Sequence, residues 1–190
     1  RNYDIQKGEI LIDGIPIKKI KIESLRREIG QMPQDVFLFT GSIKSNIAFK
    51  DEEVPLDKVI NASKYVGAHD FIEKLPEKYD HIVRERGNNF STGQRQLLSF
   101  ARALVYEPTI MILDEATANI DSETEEIIQN SLEKMMKIST MIVVAHRLST
   151  VQKADRIYVL KQGEIVESGN HQELLAQNGI YYSLYELQHK

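Results

Sequence analysis

FSTGQRQLLSFARALVYEPTIMILDEATANID, residues 90–121, is the stretch on which the reading of this chain turns. Small polar residues around one glycine run directly into an apolar segment. Leu97, Leu98, Ala101, Leu104 and Val105 there fall on one helical face, so a helix is expected over 91–106, with Pro108 just past its end. Thr109–Leu113 is a continuous apolar run, the pattern of a strand buried on both faces. That strand ends in two adjacent acids, Asp114 and Glu115. Ligands of open α/β sheets bind at the carboxyl ends of strands, and two neighbouring carboxylates repel unless a cation or a proton lies between them. A hydrated Mg²⁺ on Asp114, with Glu115 orienting a water, is an arrangement suited to phosphoryl transfer. The other reading is a strand end finished by solvated acids.

Two further places carry polar groups that chemistry could use. The turn FSTGQRQ, Phe90–Gln96, opens a helix, and unpaired N–H groups at the positive end of a helix dipole bind anions. Gly93 lets a ligand approach the backbone; the competing reading is plain N-capping by Ser91 or Thr92. VVAH, Val143–His146, is a second apolar strand ending in a titratable group, placed where an imidazole could reach a phosphate or an attacking water. A phosphate-binding loop with glycine before lysine is absent, because none of the ten glycines is followed by lysine.

Bulk properties narrow the class. The chain has 190 residues, enough for one domain with a sizeable core, and 42% hydrophobic with 27% charged residues is ordinary for a globular protein. A net charge of −4 gives no support for a nucleic-acid binder. The absence of cysteine excludes disulfides and thiolate metal sites, and no apolar run approaches the length of a membrane span. The first residue is Arg1 rather than methionine, so a fragment or processed piece is expected.

The remaining pattern reads as follows. GEILIDG, 8–14, is expected to be a strand between turns, 24–28 a helical turn, and 29–49 an apolar loop broken by Pro33 and Gly41. A helix is expected over 56–71. Ser122 with Glu125 forms a capping-box pattern for a helix to about Met136, and Thr140–Ala145 is expected to be a second buried strand. Lys161-Gln162-Gly163 separates two strand-like segments as a hairpin would, and a last helix carries Tyr181, Leu184 and Leu187. Alternation of strand and helix from Thr109 onward implies a parallel sheet.

Taken together, FSTGQ, ILDE, ANID, AHRLST and MPQDVFLF resemble, in order and spacing, the signature, Walker B, D-loop, switch-histidine and Q-loop motifs of ABC transporter nucleotide-binding domains. VFLFTGSIKSNI, the ERG at 85–87 and the tail GNHQELLAQNGIYYSLYELQ resemble exporter-type members. The resemblance covers nearly the whole chain. It implies an α/β, P-loop NTPase-like fold with a mostly parallel sheet, an inserted helical subdomain over about 40–106, and a Walker B and switch core over about 107–190. A small N-terminal antiparallel β element is also implied.

It further implies ATP and Mg²⁺ as ligands, with Asp114 and Gln34 at the metal and Gln34 and Asp121 at the nucleotide. Glu115 and His146 would be catalytic. Ser91, Thr92, Gly93 and Gln94 would bind ATP held by a second such domain in a head-to-tail pair. Membrane domains of the same transporter would be the other partner, with no nucleic acid involved, at the cytoplasmic face of a membrane. Phe90 and Thr92 depart from the usual Leu and Gly of the signature, and Ala118 stands where a D-loop serine is common. The phosphate loop would precede Arg1. Without it the chain as given is expected to lack ATPase activity, and to lack a central strand beside the one ending at Asp114.

Overall fold

The structure is a computed structural model of the 190-residue chain, and it describes residues 1, 3–49, 51, 53–114, 122–145 and 148–188. Two compact units are present, Arg1–Ile142 and Val143–Lys190.

The first unit begins with a small antiparallel hairpin, β1 (Leu11–Ile12) with β2 (Ile15–Pro16). The strand expected over 8–14 is therefore shorter, because Asp13 and Gly14 take positive φ and turn the chain. Helix α1 (Ile22–Arg27) leads into β3 (Ile29–Met32). This strand corrects the expected loop over 29–49. It pairs in parallel with β6 (Ile110–Asp114), Ile29 opposite Ile110 and Met32 opposite Leu113. Between them lie β4 (Gly41–Ser42) and the helices α2 (Ile43–Ile47), α3 (Leu56–Tyr65) and α4 (His69–Glu73). β5 (Ile82–Val83), antiparallel to β4, and α5 (Thr92–Leu104) complete the segment. The single helix expected over 56–71 is interrupted between α3 and α4, where Gly67 has a φ of +72°.

Helix α5 is the spine of this unit. Leu97, Leu98, Phe100 and Ala101 are at most 2% exposed, and Ile43, Ile47, Val59 and Val66 are fully buried among the core side chains. Beside its C-terminal end the backbone of β3 comes close. A Cβ on Gly30 would lie 2.8 Å from Pro108 Cγ and 3.0 Å from the Ala103 carbonyl, so only glycine fits.

After β6 come α6 (Ser122–Met136) and β7 (Thr140–Val144), and the sheet order is β3-β6-β7. Both sides of β6 are thus occupied, which corrects the expectation of a vacant place beside the strand ending at Asp114; a further strand could pair only outside β7 or β3. Burial also differs from expectation. On β6, Met111 and Leu113 are buried while Ile110 and Ile112 are half-buried. On β7, Ile142 and Val144 are each 54% exposed, so this strand is not buried. The physical reason is that no described element covers the face that Ile142 and Val144 share.

The second unit holds α7 (Leu148–Val151), the antiparallel hairpin β8 (Ile157–Lys161) and β9 (Glu164–Gly169), α8 (His171–Ala176) and α9 (Ile180–Gln188). Gln162 and Gly163 both have positive φ, the two-residue turn that suits twisted strands, as the sequence pattern implied. Leu148, Ile157, Leu174 and Tyr181 form its core. Glu167 accepts hydrogen bonds from the backbone N–H groups of Ile180 and Tyr181, and so caps α9 from β9.

Candidate functional site

The parallel register of β3 and β6 decides what stands at the carboxyl edge of the sheet. Met32 and Leu113 are level, so the chain leaves both strands at the same height. Neighbouring strands lie about 4.8 Å apart. Asp114 is the last residue of β6 and is exposed; Gln34 follows β3 by two positions and is also exposed. The two side chains predicted for one cation and one nucleotide therefore emerge from adjacent strand ends. Gln34 makes no side-chain hydrogen bond among the described residues. Glu115, Asp121 and His146 lie outside the described residues.

A carboxylate and an amide oxygen are the hard donors that Mg²⁺ prefers. Among the described residues no group of three or more His, Cys, Asp or Glu could hold a metal alone. Asp114 and Gln34 offer donors of the kind that would fit a magnesium ion, which would need water and phosphate oxygens to complete its shell.

The signature turn is built by reciprocal capping. Ser91 is the N-cap of α5, with extended backbone at φ −64° and ψ 163°. Its Oγ accepts from the Gln94 N–H at 3.1 Å, and Gln94 Oε1 accepts from the Ser91 N–H at 3.0 Å. The N-capping that the sequence left as one alternative is thus present. It does not compete with anion binding, because the serine hydroxyl proton and the Gln94 amide protons are still available to donate. Thr92 is the first residue of the helix and is exposed, while Gly93 is buried.

Arg95 holds this turn in a way that spacing alone does not reveal. Its guanidinium donates to the Phe90 carbonyl at 2.8 Å and to Thr92 Oγ1 at 3.1 Å. A fixed cation thereby adds to the positive end of the α5 dipole. Phe90 is buried, edge-on to the rings of Phe71 and His81 at 6.3 and 6.0 Å, so it anchors the turn as an apolar residue should.

The ERG turn reaches the same place. Gly87 has a φ of +69°, and a Cβ there would lie 2.7 Å from Leu38 Cδ1 and 3.1 Å from Arg95 Cδ. Leu38 belongs to the segment that follows Gln34 and is fully buried. Three pieces therefore meet around Gly87: the segment after Gln34, the ERG turn, and the stem of the arginine that clamps the signature turn.

Comparison with known proteins follows the same outline. The model of the ABC transporter family matches residues 1–118. An ABC transporter ATP-binding protein of Streptococcus pneumoniae is 53% identical over 188 residues, covering 99% of this chain and 32% of the relative. An ATP-dependent lipid A-core flippase of Syntrophus aciditrophicus is 48% identical over 190 residues, covering 100% of this chain and 32% of the relative. The chain thus spans about a third of the length of these relatives. A solved bacterial Atm1-family ABC exporter with ATP bound superposes with a TM-score of 0.90 at 40% identity, over 99% of this chain and 33% of that one.

Proposed function

The chain belongs to the ABC transporter family, and from that premise we propose that it is most of the ATP-hydrolysing domain of an exporter. The observation that carries the proposal is the pairing of Met32 with Leu113, by which the segments carrying Gln34 and Asp114 leave adjacent parallel strands at the same edge of the sheet. We assign about 40–106 to a helical subdomain and about 107–190 to the Walker B and switch core.

In this reading Asp114 and Gln34 hold Mg²⁺, which neutralises charge on the β- and γ-phosphates of ATP when bound. Glu115 accepts the proton of the attacking water, and His146 hydrogen-bonds the γ-phosphate side. The signature turn acts on a different nucleotide. Helix α5 lies against β3 near Ala103, and at 1.5 Å per residue Ser91 is about 18 Å away along its axis. By the head-to-tail pairing that the family resemblance implies, the donors of Ser91, Thr92, Gly93 and Gln94 are assigned to a γ-phosphate held by a second domain, and Asp121 to the nucleotide. Family membership supports the other partners: transmembrane domains of the same transporter, with this domain at the cytoplasmic face of the membrane. Hydrolysis would then drive export.

The test is Glu115→Gln in the full-length transporter. ATP binding should persist while turnover falls about 10²-fold or more, the range of a lost general base. Near-normal hydrolysis would reject the assignment.

A further inference from the structure

Among the described residues Gln34 makes no side-chain hydrogen bond of its own, and two anchors in the chain hold it. Behind it is the β3 ladder, ending at Met32. Ahead of it is Phe37, whose carbonyl accepts from Arg102 Nη1 at 2.8 Å. Arg102 sits in the last turn of α5, the helix whose first turn is the signature.

The Arg102 guanidinium is used as a fork. Nε donates to the Asn46 carbonyl at 2.8 Å and Nη2 to Asn46 Oδ1 at 3.1 Å, besides the bond to Phe37. Its cation lies 5.8 Å from the Phe39 ring centre and 5.6 Å from that of Phe49. Asn46, 1% exposed, accepts from the Phe39 N–H and donates to the carbonyls of Phe39 and Ser42. Arg102 thus ties the carbonyls of Phe37 and Asn46 to α5, beside the Tyr106 hydroxyl that donates to the Ala48 carbonyl at 2.8 Å.

No carboxylate among the described residues pairs with this cation, and burial lowers its pKa to about 10. Its three hydrogen bonds and two ring contacts offset that burial and hold the segment in place. What it adds is direction: a rigid planar fork fixes two backbone carbonyls and one amide at once, which lysine cannot do.

We infer that Arg102 is a positioning residue for Gln34, tying the reach of that side chain at the Asp114 edge to the helix that carries the signature turn. The inference rests on the reading of Gln34 given above. A shift of α5 moves the Phe37 carbonyl with it, and only Pro33–Val36 lie between that carbonyl and the β3 ladder. Gln34 then follows the helix.

The experiment is a double-mutant cycle on ATP hydrolysis by the full-length transporter, with Arg102→Lys and Gln34→Ala. Arg102→Lys should lower kcat about tenfold while KM for ATP stays within about twofold, because the contact acts on nucleotide already bound. In the Gln34→Ala background the same change should cost less than about twofold more, since residues that act through one another are not additive. An equal loss in both backgrounds, or an unchanged kcat in Arg102→Lys alone, overturns the inference and leaves a merely structural arginine. Full turnover in Gln34→Ala alone would instead refute the role of Gln34 itself and take the inference with it. Should Arg102→Lys not fold, Asn46→Asp keeps the partner of Arg102 but loses both amide donors to the segment. It must show the same non-additivity with Gln34→Ala, and additivity would be equally fatal.

Discussion

Leu113 faces Met32 across a parallel ladder, and each is followed within two positions by a polar residue of the candidate site, Asp114 after one and Gln34 after the other. The pairing matters because a parallel register is shared by the whole ladder. Slipping one strand by one residue would turn its own buried side chain outward, Met32 on β3 or Leu113 on β6, so the core itself fixes where the two strands end.

Ser91 separates stability from function. Ser91→Ala removes the cap and should cost about 1 kcal/mol in urea denaturation. Ser91→Asp keeps an N-cap of equal quality and favours the helix dipole, so its midpoint should match or exceed the parent. The same carboxylate would face a γ-phosphate, and ATPase activity of the full-length transporter should fall at least about tenfold. An active Ser91→Asp protein would remove the signature turn from the phosphate site.

Gly87→Ala should be costly for two independent reasons. Its φ of +69° disfavours any side chain, and the methyl would enter space filled by Leu38 and the Arg95 stem. The combined loss is expected at about 2–4 kcal/mol, read as a lowered denaturation midpoint at unchanged m-value. A neutral substitution would mean the ERG turn does not pack as described.

Alkaline pH should weaken the fold. Burial raises Tyr79, Tyr106 and Tyr181 above the usual phenol value of 10.0. Below that value both states keep the proton; above it the unfolded chain ionises first, so stability is lost as pH rises through the folded-state values. Arg102, lowered to about 10, acts in the opposite sense over the same window, so the tyrosine contribution is read as the difference between the parent and Tyr181→Phe. Tyr181→Phe should flatten the loss, and near neutrality it should cost about 1 kcal/mol by leaving His171 Nδ1 without its 2.7 Å partner. Denaturation midpoints across pH, with tyrosinate absorbance as the second probe, check this. A change above pH 10 that is the same in Tyr181→Phe as in the parent would contradict it.

Glu167→Ala should loosen one helix and no other. The carboxylate caps α9 through the N–H groups of Ile180 and Tyr181, so its loss is expected to cost about 1 kcal/mol. Hydrogen exchange should speed up in α9 while α5 amides keep their protection. Uniform acceleration across both would assign Glu167 a wider role.

The signature turn, helix α5 and the strand ending at Asp114 were all readable from residue order, because turn chemistry, helical spacing and an apolar run are local signals. Strand β3 was not. Ile29–Met32 contains Gly30 and Gln31 and is followed by Pro33, so nothing local marks it; its extended form comes from pairing with β6. The exposure of β7 was hidden for a related reason, since TMIVV announces a strand but not whether anything covers it. Arg102 and Asn46 are 56 positions apart, and an arginine inside FARAL reads as a solvated helix face until its acceptors are seen. The clamp of Arg95 on Thr92 spans only three positions, yet a threonine at a helix start is already explained by helix chemistry and invites no search for a partner.

The ladder between β3 and β6 also sets an order of events during folding. Glu28 and Thr109, at its foot, are 81 positions apart, and closing a loop of that length from a disordered chain costs about 4 kcal/mol in its length-dependent part. Everything from β4 to α5 lies inside that loop, and its contacts are shorter in sequence, the Arg102–Asn46 pair at 56 positions among the longest. Condensing those helices first shortens the effective loop, and the parallel pair can then close at lower entropic cost. The carboxyl edge, where the chain leaves β3 toward Gln34 and β6 ends at Asp114, would thus be among the last features to form. A chain emerging from the ribosome would complete its helical half well before it could hold a nucleotide there.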